Sequence, residues 1–108
     1  MQNSSVRKPV VAGQFYPSSK DDLLRQIENL TRKNVDRLEV IGCILPHAGY
    51  TYSGAVAGET VSRIQLKDKI ILLGPNHTGY GAQFSIMTEG KWQTPLGTIS
   101  IDSHLANY

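Results

Sequence analysis

The sequence lacks the features that mark membrane-spanning, secreted and nucleic-acid-binding proteins. Its apolar runs fall short of the roughly 20 residues that a membrane-spanning helix requires, and no apolar stretch follows the positive charges near the N-terminus, as a secretory signal would need. A single cysteine, Cys43, excludes an internal disulfide framework and fits a reducing compartment. The net charge is only +2, and the Lys and Arg residues are scattered. We therefore expect a cytoplasmic protein without membrane or nucleic-acid partners.

Phosphate-binding and serine-nucleophile motifs are also missing. The glycines form neither the dinucleotide-binding nor the Walker A pattern, and no serine elbow occurs. What remains is an ordinary globular composition of 108 residues, 40% of them hydrophobic and 19% charged. That length suits one small domain.

Helical patterns occur at three places after a polar arm over residues 1–8. Leu23, Leu24, Ile27 and Leu30 lie on one helical face behind a serine cap, which predicts a helix over 19–33. Ser53 is the expected cap of a second helix that extends to Ile64. Asp102 or Ser103 would cap a third, which the sequence barely begins before Tyr108.

Two short apolar runs, Val40–Leu45 and Lys69–Leu73, predict strands that are buried on both faces, as in parallel sheets. With the helix between them they would form a βαβ unit. Residues 83–88 and 98–101 predict further strands. We expect an α/β fold in which helices pack on a mixed sheet. Residues 1–108 would be the N-terminal portion of a single domain that continues beyond Tyr108.

A histidine follows each of the two predicted parallel strands. His47 comes after Pro46, and His77 comes after Pro75 and Asn76. Ligands bind beyond the carboxyl ends of the strands in open α/β sheets, and paired neutral imidazoles suit iron, copper or zinc. The alternative is that both are ordinary hydrogen-bonding residues of surface loops. His104 and Cys43 are better explained as a surface residue and a packed core residue.

Four motifs in this order resemble the Memo-like family, which is named for a mediator of ErbB-driven cell motility and has bacterial and archaeal members. The motifs are Val10-Val-Ala-Gly-Gln-Phe-Tyr-Pro17, Pro46-His-Ala-Gly-Tyr-Thr-Tyr-Ser-Gly54, Leu73-Gly-Pro-Asn-His77 and Thr94-Pro-Leu-Gly97. The resemblance covers nearly all of this chain but only about the first third of a family member.

The resemblance implies the N-terminal part of a class III extradiol dioxygenase-like fold, with a non-haem metal site. His47 and His77 correspond to family site residues, which are joined there by an Asp-x-x-His pair and a cysteine from later in the chain. Phe15 aligns with an aromatic residue of the family pocket. Tyr50, Tyr52 and Asn76 are our further candidates for the pocket or for hydrogen bonds to the ligands.

Three functions stay open at this point. The first is a metal-dependent oxidoreductase of unknown substrate that uses iron or copper, with zinc as a further candidate. The second is a non-enzymatic protein that binds a phosphopeptide in the same cleft, as animal Memo-like proteins are proposed to do. The third is sequestration of the metal without turnover. The first would take a small-molecule ligand and the second a peptide ligand, neither of which the sequence identifies.

Overall fold

The computed structural model describes residues 5–108 and contains three helices and three strands. The helices are α1 (Lys20–Leu30), α2 (Tyr50–Ser62) and α3 (Ser103–Ala106), and the strands are β1 (Val6–Arg7), β2 (Lys91–Thr94) and β3 (Gly97–Ser100). The strands form one mixed sheet in the order β1-β2-β3, with a parallel first pair and an antiparallel second pair. This confirms the α/β class and the mixed sheet. No helix of the described residues is long and apolar enough to cross a membrane.

Helix α1 begins where its sequence signals predict. The Ser19 side chain accepts a hydrogen bond from the backbone N–H of Asp22, and Asp21 and Asp22 lie in the first turn, where the helix dipole favours negative charge. The helix ends at Leu30, three residues earlier than predicted. The Thr31 backbone N–H and hydroxyl both donate to the Ile27 carbonyl and close the last turn. Leu23 is the buried apolar residue of this helix.

Helix α2 packs on the end of α1 through small residues spaced four apart. Gly54, Gly58 and Ser62 are its buried positions, and a Cβ at Gly58 would lie 2.2 Å from the Leu30 carbonyl oxygen. The prediction that Ser53 caps this helix is wrong. The N-cap is Gly49, and the Ser53 hydroxyl donates to the Ala48 carbonyl from inside the first turn.

The predicted end of α2 is also wrong, because the helix ends at Ser62 and Ile64 lies beyond it. Ile64 instead forms an isolated parallel bridge with Leu38. That bridge holds the chain leaving α2 beside the chain that follows α1.

The predicted strands Val40–Leu45, Lys69–Leu73 and 83–88 are not strands in the structure, and the predicted βαβ unit of the first two is therefore absent. A strand needs a partner backbone, and no ladder is formed by these segments within residues 5–108. Large apolar side chains of all three segments are exposed, including Ile41, Ile44, Ile71, Leu73, Phe84 and Ile86.

The sheet forms from segments that flank these apolar runs. β2, which the pattern did not predict, pairs with β3 across the two-residue turn Pro95-Leu96, and β3 confirms the strand expected near residues 98–101. β1 falls within the predicted polar arm and pairs with β2, with the Arg7 guanidinium 4.8 Å from the centre of the Trp92 ring. Residues 1–4 of that arm lie outside the described residues. Asp102 caps α3, as predicted.

Candidate metal centre

The structure brings His47 and His77 together. Their Nε2 atoms are 3.2 Å apart, and the ring centroids are separated by 5.2 Å with an angle of 48° between the planes. Both side chains are exposed. Residues 30 positions apart in the chain thus present the same ring nitrogen to one point on the surface.

The chain that carries His47 is tied to the start of α2. The Gly49 carbonyl accepts hydrogen bonds from the backbone N–H groups of Tyr52 and Ser53, at 2.9 and 3.1 Å. The Ser53 hydroxyl donates to the Ala48 carbonyl at 3.0 Å. His47 is therefore two residues from the N-cap of the longest helix, which restricts its backbone on one side.

The chain that carries His77 is organised by the side chain of Asn76. Its Oδ1 accepts hydrogen bonds from the backbone N–H groups of Thr78 and Gly79, at 3.2 and 3.0 Å, and its Nδ2 donates to the Tyr80 carbonyl at 2.8 Å. Gly79 has a φ of 73°, which a glycine adopts without strain. The loop closes around Asn76 with His77 at its start.

The aromatic candidates make no ring contact with either histidine within residues 5–108. The Tyr50 ring packs against Tyr16 with centroids 5.6 Å apart, and its backbone N–H donates to the Phe15 carbonyl at 2.8 Å. Burial, together with the neighbouring Tyr16, raises the pKa of the Tyr50 phenol. Tyr52 is 86% exposed and Phe15 is also exposed, so neither forms the wall of an enclosed pocket within the described residues. The roles proposed for Phe15, Tyr50, Tyr52 and Asn76 stay predictions.

The distance between the two imidazole nitrogens can be compared with the spacing of two ligands on one metal ion. Imidazole nitrogens bind zinc at about 2.0–2.1 Å, so two of them on one ion lie about 2.9 Å apart at a right angle and about 3.3 Å apart at a tetrahedral angle. The 3.2 Å between the two Nε2 atoms falls within this range. A direct hydrogen bond between the two rings would give a similar distance. Within residues 5–108, no group of three or more His, Cys, Asp or Glu side chains could hold a metal. The spacing of the two nitrogens therefore matches two positions of a metal site, and it matches a hydrogen bond between the rings as well.

Two residues that contact the candidate site residues were not indicated by the sequence. Tyr16 is the partner of Tyr50, and Thr78 completes the loop through a hydroxyl 3.2 Å from Asn76 Oδ1. The spacing Asn76-x-Thr-Gly79 is typical of a turn in which an asparagine side chain binds the following backbone, and it could have indicated the loop. Nothing in the local sequence signals the Tyr16–Tyr50 contact, because it depends on how two distant segments meet.

Comparisons with known proteins agree on one family. The family model described as Memo-like protein matches residues 7–108. Among curated proteins, a "MEMO1 family protein" of Aquifex aeolicus is 42% identical over 101 residues, which cover 93% of this chain and 38% of that protein. Another, from Methanosarcina acetivorans, is 45% identical over 106 residues, with 94% and 38% covered. The chain spans about two fifths of the length of these relatives. No solved structure matches.

Proposed function

The chain belongs to the Memo-like protein family, and on that premise we propose that it supplies two histidine ligands to the non-haem iron or copper site of an oxidoreductase. The observation that carries the proposal is the 3.2 Å separation of His47 Nε2 and His77 Nε2. This distance lies within the range of about 2.9–3.3 Å expected for two imidazole nitrogens that bind one ion. The same proposal includes zinc as a further metal that this donor pair would accept.

The completing ligands are proposed to come from outside this sequence. Residues 5–108 contain no third His, Cys, Asp or Glu that could join the pair in holding a metal, and the family relatives are more than twice as long. The resemblance supplies an Asp-x-x-His pair and a cysteine as candidates. A cysteine in place of a carboxylate among the ligands argues against conventional ring cleavage, so the substrate stays open.

The residues of this chain would hold the metal ion and orient the two imidazoles that bind it. Iron or copper would supply redox chemistry at coordination positions that the protein leaves open to substrate and oxygen. The imidazoles must be neutral to offer Nε2 to a metal, and hydrogen bonds at the opposite nitrogen usually fix that tautomer. The first turn of α2 restrains the loop of His47, and Asn76 restrains the loop of His77.

We further propose that the unpaired apolar segments 40–45 and 69–73 become neighbouring parts of a dioxygenase-like sheet in a chain of family length. Contacts at both ends support this arrangement. Near the start of the segments, Lys67 Nζ lies 2.8 Å from Glu39 Oε1, and beyond their ends the two histidines meet. The segments therefore run in the same direction, as parallel strands do.

Metal loading of histidine variants tests the proposed site. The chain is loaded with Cu(II), or with Fe(II) without oxygen, and bound metal is measured after gel filtration. We expect His47→Ala and His77→Ala each to weaken metal binding at least about tenfold. Loss of a residue that only hydrogen-bonds to a metal ligand already costs about tenfold to 100-fold in affinity, and loss of the ligand itself should cost no less. The double variant should lose the site. Nitrogen hyperfine structure in the Cu(II) electron paramagnetic resonance spectrum should decrease with each imidazole removed.

His104→Ala is the matched control, because His104 is an exposed histidine on α3. Metal content that is equal in the double variant, the control and the unaltered chain would refute the proposed site. Metal binding without oxygen consumption, in a chain of family length and with candidate substrates, would favour sequestration over catalysis. Peptide binding that survives chelation and is weakened by Phe15→Ala and Tyr52→Ala would favour the non-enzymatic alternative.

A further inference from the structure

We propose that Asn76 is a positioning residue that holds His77 where its Nε2 meets that of His47. This inference rests on the proposed metal function, because it names what prepares one of the two ligands. It is carried by the hydrogen bonds of the Asn76 side chain, which converge on the loop that begins with His77.

The oxygen and the nitrogen of the Asn76 side-chain amide both form hydrogen bonds, and only one orientation of the amide allows all of them. Oδ1 faces two backbone N–H donors, of Thr78 and Gly79, while Nδ2 faces the Tyr80 carbonyl. Exchanging the oxygen and nitrogen would place N–H groups against N–H groups and an oxygen against a carbonyl. The network therefore fixes how the amide is oriented. A side chain held in this way also holds the backbone to which its partners belong.

No backbone-to-backbone hydrogen bond joins two residues of 75–81 in the described part of the chain. The loop is also exposed throughout, so packing against a core does not fix it either. Its remaining local restraints are the fixed φ of Pro75, the left-handed φ of Gly79 and of Gly81, and a 3.3 Å bond from the Tyr80 N–H to the Thr78 hydroxyl. Asn76 supplies most of the polar contacts that define the loop.

The consequence for metal binding follows from population arithmetic. A metal binds both histidines only in the fraction of molecules whose loops bring the two nitrogens together, and the apparent dissociation constant rises as that fraction falls. Without the Asn76 contacts, the His77 loop would sample more conformations. His47 would be unaffected, because its restraints come from the first turn of α2. The expected result is a site in which one ligand remains in place and the other does not.

The test uses three variants of the loop and one matched control. Asn76→Ala removes the contacts, and Asn76→Ser keeps a weaker hydroxyl acceptor for the same turn. Gly79→Ala leaves the asparagine in place but strains the backbone at a φ of 73°. The control is Asn107→Ala, since Asn107 Nδ2 likewise donates to a backbone carbonyl, that of Ser103 at 2.7 Å, on helix α3.

The first readout needs no metal. The nuclear Overhauser effect between the ring protons of His47 and His77 reports their proximity directly. We expect it in the unaltered chain and in Asn107→Ala, and we expect it to be lost in Asn76→Ala and partly restored in Asn76→Ser. Far-UV circular dichroism should show the same helix content throughout. An undiminished effect in Asn76→Ala, or no effect in the unaltered chain, would overturn the inference whatever the metal results.

The second readout is Cu(II) binding. We expect Asn76→Ala and Gly79→Ala to weaken it about tenfold or more, the range found when a partner that orients a ligand is removed. The nitrogen hyperfine structure should resemble that of His77→Ala. If the histidine variants lose copper and Asn76→Ala retains full affinity and both nitrogens, the metal site stands and the positioning role fails. If the histidine variants bind Cu(II) as well as the unaltered chain does, the proposed function fails. The nuclear Overhauser effect between the two rings then decides by itself whether Asn76 positions His77.

Discussion

The helix pair, α1 with α2, differs sharply from the histidine-bearing segments, which are residues 40–47 and 69–77. In the helix pair, Leu23 is only 3% exposed and Ser62 only 2% exposed. In the histidine-bearing segments, the equally apolar Ile44 is 93% exposed. Both regions are rich in apolar residues, so composition alone does not decide which of them is packed.

Hydrogen bonds to side chains of α2 join the helix pair. The Ser62 hydroxyl donates to the Gly58 carbonyl at 2.6 Å and accepts from the Arg32 backbone N–H at 2.8 Å, which joins α2 to the residues that follow α1. Glu59 accepts hydrogen bonds from the side chains of Arg32 and Arg63. A helix satisfies its interior backbone by itself and needs a neighbour only for its apolar face.

A strand satisfies its backbone only through other strands, which is why the same apolar content has a different outcome in the histidine-bearing segments. Within residues 5–108 these segments meet at their ends through His47 and His77, and Glu39 pairs with Lys67 just before the segments begin. The candidate site is therefore held by its loops and by the Glu39–Lys67 ion pair, and no strand is formed by the segments that carry the two histidines.

The largest expected effect comes from truncating a buried leucine. Leu23→Ala should lower the free energy of unfolding by about 3 kcal/mol, since it removes buried apolar contacts and leaves a cavity. Ile44→Ala should change it by less than about 0.5 kcal/mol, because the side chain is already exposed. Urea unfolding followed by circular dichroism measures both.

Equal costs for the two truncations would contradict the contrast between the regions. The proposed sheet leads to a second test of this contrast. In a chain of family length, Ile44→Ala should become as costly as Leu23→Ala, because Ile44 would then be buried between strand and helix. A small cost there as well would refute the proposed burial of this segment.

The next effect concerns two glycines. Gly58→Ala should cost about 2 kcal/mol, although alanine favours helices, because the new Cβ would lie 2.2 Å from the Leu30 carbonyl oxygen and force the helices apart. Gly42→Ala is the matched change in the other region, where a Cβ would meet nothing within 4 Å. Thermal unfolding should show a lower midpoint for the first variant only, and a shift of similar size in both would contradict the close approach of the helices.

The smallest effect is electrostatic. Hydrogen bonds from Arg32, and then from Arg63, hold the pKa of Glu59 below its ordinary value of 4.5. A lowered folded pKa means that the charged carboxylate stabilises the fold above about pH 4.5 and that this contribution is lost as the pH falls through the folded pKa. Glu59→Gln should therefore lower the melting temperature slightly at neutral pH and leave it unchanged in acid.

Glu39→Gln is the companion variant, since it removes the exposed pair with Lys67 just before the histidine-bearing segments. We expect a smaller change there, because that carboxylate has one cationic partner instead of two. A pH-independent difference between Glu59→Gln and the unaltered chain would contradict the role of the Glu59 charge.

The sequence predicted the parts of the fold whose signals are local. The α1 helix follows from its serine cap and one apolar face, and α3 from the cap at Asp102. The start of α2 could not be predicted from Ser53, because Gly49 takes the cap position when the loop after His47 is held by the Phe15 backbone. β2 was missed because its charged and polar residues are exposed and gain strand structure only by pairing with β1 and β3.

The sequence by itself determined the caps of α1 and α3, the two histidines after proline-ended apolar runs, and the family, since each is recognised from short stretches of sequence. Only the tertiary structure decided that the two Nε2 atoms meet at 3.2 Å, that Tyr16 packs on Tyr50, and that the apolar runs remain unpaired within residues 5–108. The physical reason is the range of the interactions. A cap or an Asx-type turn is completed within four residues, whereas a strand ladder and a two-histidine site need partners that are tens of residues away.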